Sequence, residues 1–212
     1  CCRKSPANFA VPVILALGII KIMERTLPTN HVLIDYENVQ PKNLEILENH
    51  PFKIYVFVGA NQVKVPIDLA VAMQGFGERA TYIKMSGNGP NALDFHIAYY
   101  IGELAAKDPN GYFHIISKDT GFDPLIKHLK SKKIKILREK DLAEIPILQI
   151  SNSTNSDEKI KAIIKNLAGR GQSRPRKVKT LANTINSLFA ENINEQDLLS
   201  LVKSLQDQKF IT

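Results

Sequence analysis

Residues 31–39 read His31-Val-Leu-Ile-Asp35-Tyr-Glu37-Asn38-Val39, an apolar run that ends abruptly at acidic and amide side chains. The same pattern returns later in the chain as Phe113-His-Ile-Ile-Ser117-Lys-Asp119-Thr-Gly-Phe-Asp123. Short apolar, β-branched runs of this kind are typical of buried strands in a parallel sheet. In such sheets the chemistry is placed beyond the carboxyl ends of the strands. The two stretches therefore predict an α/β fold with polar groups gathered at one edge of the sheet.

Strand-like and helix-like segments alternate from residue 31 onward, which predicts a parallel sheet of about five strands with helical connections. Apolar runs predict strands at residues 32–35, 53–58, 79–84, 112–117 and 133–137. Helical periodicity predicts helices at residues 41–47, 64–74, 91–106 and 124–130. Pro41 is placed at the start of the first of these helices because proline is favoured in a first helical turn.

We predict that the α/β domain covers residues 30–150, since the polar, turn-rich residues 151–158 mark a boundary. Residues 151–173 are predicted to be a polar and basic linker with a short helix, because residues 169–175 are too rich in glycine and charge to pack. Residues 174–212 are predicted to be a small, basic helical region. Two helices alone are marginally stable, so either this region docks on the main domain or residues 160–167 supply a third helix.

Residues 1–29 are predicted to lie outside the fold. The apolar run at residues 9–22 is shorter than the ~20 residues that a membrane-spanning helix needs. Met23 is the first methionine, and we interpret it as the natural start; the alternative is a genuine N-terminal anchor. The short apolar run also predicts no membrane partner. Cys1 and Cys2 are the two cysteines of the chain, which favours a reducing, cytoplasmic location.

The net charge of +7 is unevenly distributed, because residues 159–190 contain no acidic residue. Clustered lysine and arginine favour a polyanionic partner, since each phosphate that they neutralise releases counterions. The alternative is a solvated, flexible linker. We predict nucleic-acid contacts for six basic residues: Lys118, Arg170, Arg174, Arg176, Lys177 and Lys179.

Four aspartates are candidate metal ligands. Asp35 follows the first predicted strand, Asp119 and Asp123 follow the fourth, and Asp94 lies in the first turn of the longest helix. Gathered carboxylates repel one another and are retained with a compensating cation, most simply Mg²⁺ or Mn²⁺. Asn38 and Ser117 are predicted to orient a water molecule or a ligand carboxylate. Each aspartate taken singly also fits a helix or turn cap.

The motifs Ile34-Asp35-Tyr-Glu-Asn38-Val39, Asn91-Ala-Leu-Asp94 and Ser117-Lys-Asp119-Thr-Gly-Phe-Asp123-Pro together resemble the PIN-like nuclease superfamily, close to its NYN-type branch. The resemblance covers about residues 30–148. It implies a Rossmann-like three-layer α/β/α domain that cleaves single-stranded or structured RNA with a metal ion. By motif position it implies that Asp35, Asp94, Asp119 and Asp123 bind the metal, with Asn38 and Ser117 beside them.

The leading hypothesis is a metal-dependent endoribonuclease, and the alternative is a catalytically inactive RNA-binding module of the same fold. A third hypothesis is a phosphatase of the haloacid-dehalogenase type, because Asp35-Tyr-Glu37-Asn-Val39 imitates the nucleophile motif of that fold. A nuclease is hazardous to its host, so we also expect an unidentified regulator or self-association.

Overall fold

A five-stranded, all-parallel sheet lies at the centre of the computed structural model, which describes residues 28–189 and 193–207. Its strand order is β3-β2-β1-β4-β5. The strands are β1 (Asn30–Asp35), β2 (Phe52–Val58), β3 (Ala80–Lys84), β4 (Tyr112–Ile116) and β5 (Lys135–Glu139). The helices of the described residues are α1 (Ile67–Phe76), α2 (Ala92–Lys107), α3 (Phe122–Ser131), α4 (Pro146–Asn152), α5 (Ser156–Gly169), α6 (Val178–Asn186) and α7 (Glu195–Asp207).

The predicted α/β fold is confirmed, with all five predicted strands present and their bounds shifted by two residues or fewer. The predicted helix over residues 41–47 is wrong, since this segment contains only a 3₁₀ turn at Glu45–Leu47. Leu44 and Leu47 are both buried, and their spacing of three residues suits a 3₁₀ turn as well as an α-helix. The other three helices predicted in this domain are confirmed as α1, α2 and α3.

The two faces of the sheet are covered by different helices, which makes the domain a three-layer α/β/α fold. Side chains of a strand alternate between the two faces. One face packs Leu33, Phe57, Phe113 and Ile115 against α2 and α3. The opposite face packs its alternate residues, such as Val32 and Ile34, against α1 and α4.

The strand order creates a topological switch point between β1 and β4. After β1 the chain forms β2 and β3 on one side of β1. After α2 it crosses back and forms β4 on the other side of β1. Ile34 pairs with Ile116 in this parallel ladder, so the residues that follow these two strands leave the sheet side by side. Open α/β sheets bind ligands in the crevice at such a switch point.

The C-terminal helices form an apolar cluster of their own. Ile163 of α5, Ile185 of α6 and Leu205 of α7 are completely buried together with Ile150 of α4. Residues 160–167 thus supply the third helix, within α5. The same helix also docks on the main domain, because the Tyr112 hydroxyl on β4 donates a hydrogen bond of 2.7 Å to the carbonyl of Asn166.

The segment at residues 169–173, which we predicted to be an unpacked linker, is packed against the sheet domain. Gly169 and Arg170 are buried, and the Arg170 guanidinium lies 5.7 Å from the centre of the Tyr112 ring. A Cβ atom on Gly169 would lie 1.8 Å from the Tyr112 Oη atom. Glycine is therefore present at position 169 because a helix meets a strand there, and not because the chain is a flexible linker.

The predictions for residues 9–22 and for Met23 lie outside the described residues. In the part of the chain that the structure describes, no helix has the length and apolar character needed to cross a membrane.

Candidate active site

Asp35 is the last residue of β1, and its side chain is completely buried. The turn that follows folds back on it, since the backbone N–H of Val39 donates to the Asp35 carbonyl at 2.8 Å. This turn brings Asn38 within reach, so that Asn38 Nδ2 donates to Asp35 Oδ2 at 2.6 Å and the Asn38 backbone N–H donates to Oδ1 at 3.2 Å. The carboxylate is thereby fixed in one orientation, with part of the accepting capacity of Oδ1 left over among the described residues.

Ser117 connects this carboxylate to the loop that follows β4. Its Oγ atom donates to Asp35 Oδ2 at 2.8 Å and accepts a hydrogen bond of 3.0 Å from the backbone N–H of Asp119. Asp119 in turn accepts a hydrogen bond of 2.7 Å from the backbone N–H of Gly121, which holds its side chain close to the loop. Hydrogen bonds therefore position both aspartates relative to each other through one serine.

Asp94 reaches the same place from the first turn of α2. Burial raises the pKa of Asp94 above its usual range, and the negative charges of Asp35, Asp119 and Glu37 raise this pKa further. Charges in a partly buried site influence one another over several ångströms, so this effect shows that the four carboxylates are neighbours without being in contact. We refer to these four carboxylates, which lie within electrostatic range of Asp94 near the carboxyl ends of β1 and β4, as the acidic cluster.

Glu37 was not among the predicted metal ligands, although its position two residues after Asp35 was a signal for it. Its side chain lies against the backbone beyond β2, because a Cβ atom on Gly59 would be 2.0 Å from Glu37 Oε1. The absence of a side chain at Gly59 is thus what allows the Glu37 carboxylate to lie there.

The family comparison agrees with this geometry. The model of the PIN domain family matches residues 29–139, which include all five strands and all four carboxylates of the acidic cluster. The chain belongs to the PIN domain family. PIN domains are generally nucleases that use divalent metal ions. No curated protein and no solved structure matched the chain at the significance required.

Asp123 of this PIN domain pairs with an arginine and is not among the carboxylates whose charges raise the pKa of Asp94. Arg138 on β5 donates from Nε and Nη2 to the two carboxylate oxygens of Asp123, at 2.8 and 3.2 Å, and from Nη1 to the Ser117 carbonyl at 3.2 Å. The hydrogen bonds from Arg138 are the largest cause of a lowered pKa at Asp123. The Asp123 carboxylate is therefore paired with an arginine that also holds the loop after β4, and no sequence pattern predicts this pairing.

The donor atoms of the acidic cluster are suited to a hard cation. Carboxylate oxygens are the ligands that Mg²⁺ and related ions prefer, and a cation would offset the neighbouring negative charges that, after burial, raise the pKa of Asp94. Over residues 28–189 and 193–207, no group of three or more His, Cys, Asp or Glu side chains is already arranged to hold a metal ion. The PIN domain thus supplies fitting ligands that would have to draw closer when an ion binds.

The basic residues predicted to contact nucleic acid fall into two groups. Lys118, next to Asp119, is exposed, as are the four residues Arg174, Arg176, Lys177 and Lys179 that surround the start of α6. Arg170 is 9% exposed, and its Nε atom donates to the side-chain oxygen of Asn166 at 3.0 Å. Its guanidinium packs on Tyr112 in the interface between α5 and the sheet, where a phosphate would not reach it. We therefore remove Arg170 from the candidate RNA contacts.

Proposed function

We propose that this PIN domain is a metal-dependent endoribonuclease of the NYN-type branch. The observation that carries the proposal is the concentration of Asp35, Asp94, Asp119 and Glu37 at the switch point of the sheet, where burial and, after it, the charges of the other three carboxylates raise the pKa of Asp94. A buried aspartate that caps a turn has no need of three further carboxylates around it. A site that binds a cation and a phosphodiester does need several carboxylates.

In this proposal Asp35, Asp94 and Asp119 hold Mg²⁺ or Mn²⁺. When bound, the ion supplies an activated water molecule and stabilises the charge that develops on the phosphodiester. Other residues of the chain hold the ligand carboxylates in position. Asn38 and Ser117 fix the Asp35 carboxylate from the Oδ2 side, so that Oδ1 is the oxygen with accepting capacity left for a ligand. Since Asp123 is paired with Arg138, we leave it out of the proposed metal ligands.

A second candidate function is an RNA-binding module without catalysis. Two observations favour it: both oxygens of Asp35 already accept hydrogen bonds, and the described residues contain no group arranged to hold a metal. If the carboxylates do not draw together around an ion, the domain would bind RNA through its basic surface and leave it intact.

The test is cleavage of a labelled, mixed-sequence single-stranded RNA by the full chain with Mn²⁺, with Mg²⁺ or with EDTA. Three proteins are compared: the wild type, Asp35→Asn, and Asp68→Asn as a control in the exposed first turn of α1. We expect metal-dependent cleavage by the wild type and the control, and none by Asp35→Asn. Cleavage that persists in Asp35→Asn would overturn the proposal. A phosphomonoester substrate in the same buffers tests the phosphatase alternative, for which hydrolysis is expected.

We also propose RNA as the partner, with the activity restrained by a regulator or by self-association. The cysteines at positions 1 and 2 leave residues 3–212 without a thiol, which supports work in a reducing compartment such as the cytoplasm. Size-exclusion chromatography of the full chain with and without RNA measures self-association directly.

A further inference from the structure

Two acid-free stretches of the chain lie side by side in the folded protein. Residues 124–138 contain five lysines and one arginine but no Asp or Glu, and residues 159–190 likewise contain none. The first stretch forms α3, the turn after it and β5, while the second forms α5, the 3₁₀ turn Gly171–Ser173 and α6. Their separation in sequence hides the fact that they form one surface.

The contact between the two stretches is direct. Ser173 Oγ donates a hydrogen bond of 2.8 Å to the Lys133 carbonyl, and a Cβ atom on Gly171 would lie 2.8 Å from the Lys130 carbonyl oxygen. The 3₁₀ turn thus rests on the C-terminal end of α3, and Arg174 emerges next to it. Arg174 is positioned by a hydrogen bond of 3.0 Å from its Nε atom to the Leu167 carbonyl.

Three carboxylates near this basic surface contact side chains other than its lysines. Asp123 is bound by Arg138, Asp108 lies 3.1 Å from His31, and Glu139 is completely buried beside His114. Asp123 and Glu139 offset part of the positive charge at Lys130, and Asp108 offsets part of it at Lys135, so an excess of positive charge remains among the described residues. Burial lowers the pKa of Lys130, the charge of Arg174 lowers it further, and the charges of Glu139 and Asp123 partly offset this effect.

Lys133 holds an unfavourable backbone conformation within this surface. Its φ is +67°, in the left-handed region where glycine or asparagine is favoured after a helix C-terminus. A lysine there is less stable than a glycine, and its side chain is exposed. A strained residue of this kind points to a function for the side chain.

We propose that the basic surface is a track that holds the backbone of single-stranded RNA as it extends from the acidic cluster. The track consists of Lys127, Lys130, Lys132, Lys133, Arg174 and Lys177. The direction of the track, outward from the acidic cluster, rests on the proposed function. Helix α3 lies along this direction, since it starts beside Asp119 and ends at the basic surface. Helix α3 has ten residues and is thus about 15 Å long, which corresponds to roughly four to five stacked nucleotides at 3.4 Å each.

The first experiment measures RNA binding by the full chain in EDTA, so that no cleavage interferes. Fluorescence anisotropy with labelled oligouridines of 4, 8 and 12 nucleotides compares the wild type with Lys132→Gln/Lys133→Gln/Lys177→Gln. The matched control is Lys42→Gln/Lys53→Gln/Lys203→Gln, which removes three exposed lysines from other surfaces. We expect the track variant to bind the 12-mer more than tenfold more weakly at 0.1 M salt. The slope of the logarithm of the binding constant against the logarithm of the salt concentration should also be shallower by about 2. The control should behave as the wild type.

The second experiment is the single substitution Lys133→Gly, which separates an RNA contact from a structural role. Relief of the left-handed strain should raise the melting temperature, while loss of the charge should weaken binding of the 12-mer. If Lys133 instead has a structural role, the substitution would lower both the melting temperature and the affinity for the 12-mer.

The possible outcomes distinguish this inference from the proposed nuclease. Track-dependent binding by a protein that cuts nothing would support the track and count against the nuclease. Metal-dependent cleavage, with the same RNA affinity in the track variant as in the wild type, would support the nuclease and overturn the track. A wild-type protein that fails to bind the 12-mer would also overturn the track.

Discussion

Ser117 donates a hydrogen bond from its Oγ atom to Oδ2 of Asp35 at 2.8 Å, although the two residues are 82 positions apart in the chain. The bond joins the end of β4 to the end of β1 at the switch point of the sheet. Since the same Oγ atom accepts from the backbone of Asp119, one hydroxyl sets the spacing between two proposed metal ligands. A serine without direct contact to the metal would then control how well the metal binds.

Ser117→Ala should weaken the metal dependence of the site without unfolding the protein. Partners that orient metal ligands typically contribute 10–100-fold to metal affinity or activity, so we expect the concentration of Mg²⁺ for half-maximal cleavage to rise by about that factor. The loss of the two hydrogen bonds of Ser117, one of them to a carboxylate, should cost about 1.5–3 kcal/mol of folding stability. Metal titrations of the cleavage rate measure the effect, with Ser187→Ala as a control that loses a hydroxyl far from the site. Equal titration curves for both variants would refute the positioning role.

Asp119 and Asp123 should respond differently to substitution, because the structure gives them different partners. Asp119→Asn removes a carboxylate from the acidic cluster, and we expect it to abolish cleavage. Asp123→Asn removes only an exposed partner of Arg138, so most of the cleavage rate should remain. Single-turnover rates at saturating Mn²⁺ compare the two variants. Full activity of Asp119→Asn, together with inactivity of Asp123→Asn, would exchange their roles.

The positions of Asp35 and Ser117 were predictable because both follow fully buried strands. Strand β1 is buried along its whole length, and the change from apolar to acidic residues marks its end in the sequence. The parallel pattern then implies that the ends of two such strands lie at one edge of the sheet. Asp94 was predictable for a similar reason, since it occupies the first turn of a long helix with a clear apolar face.

The roles of Asp123, Arg138 and Arg170 were not predictable from local pattern. Asp123 follows β4 just as Asp119 does, and only the register of β5 shows that Arg138 binds it. Arg170 lies in a basic, glycine-rich segment that resembles a linker, but Gly169 lets α5 approach Tyr112 so closely that Arg170 becomes buried. Contacts of this kind depend on which elements become neighbours, and charge patterns do not encode that information.

Asp94→Asn should stabilise the protein in EDTA at neutral pH. The pKa of Asp94 is raised in the folded state, so its ionised form is disfavoured there. Below about pH 4 the group is protonated in both states and carries no penalty; the penalty appears as the pH rises through the raised pKa. We expect the melting temperature of Asp94→Asn to exceed that of the wild type by roughly 2 °C at pH 7 and to match it near pH 3. The control Asp68→Asn loses a favourable charge in a first helical turn, so its melting temperature should not rise.

Gly169→Ala should destabilise the protein, because the added Cβ atom would lie 1.8 Å from the Tyr112 Oη atom and 2.7 Å from the Leu137 side chain. Overpacking of this kind costs about 1–3 kcal/mol, which lowers the melting temperature by roughly 3–10 °C. In Gly169→Ala/Tyr112→Phe the closest atom is removed, so the double variant should lose less stability than the two single variants together. Gly102→Ala is the matched control, since its Cβ atom would meet nothing within 4 Å, and alanine there should raise stability by about 0.5–1 kcal/mol. Thermal unfolding of the four variants decides the point: a Gly169→Ala protein as stable as the wild type would mean that α5 does not pack on β4.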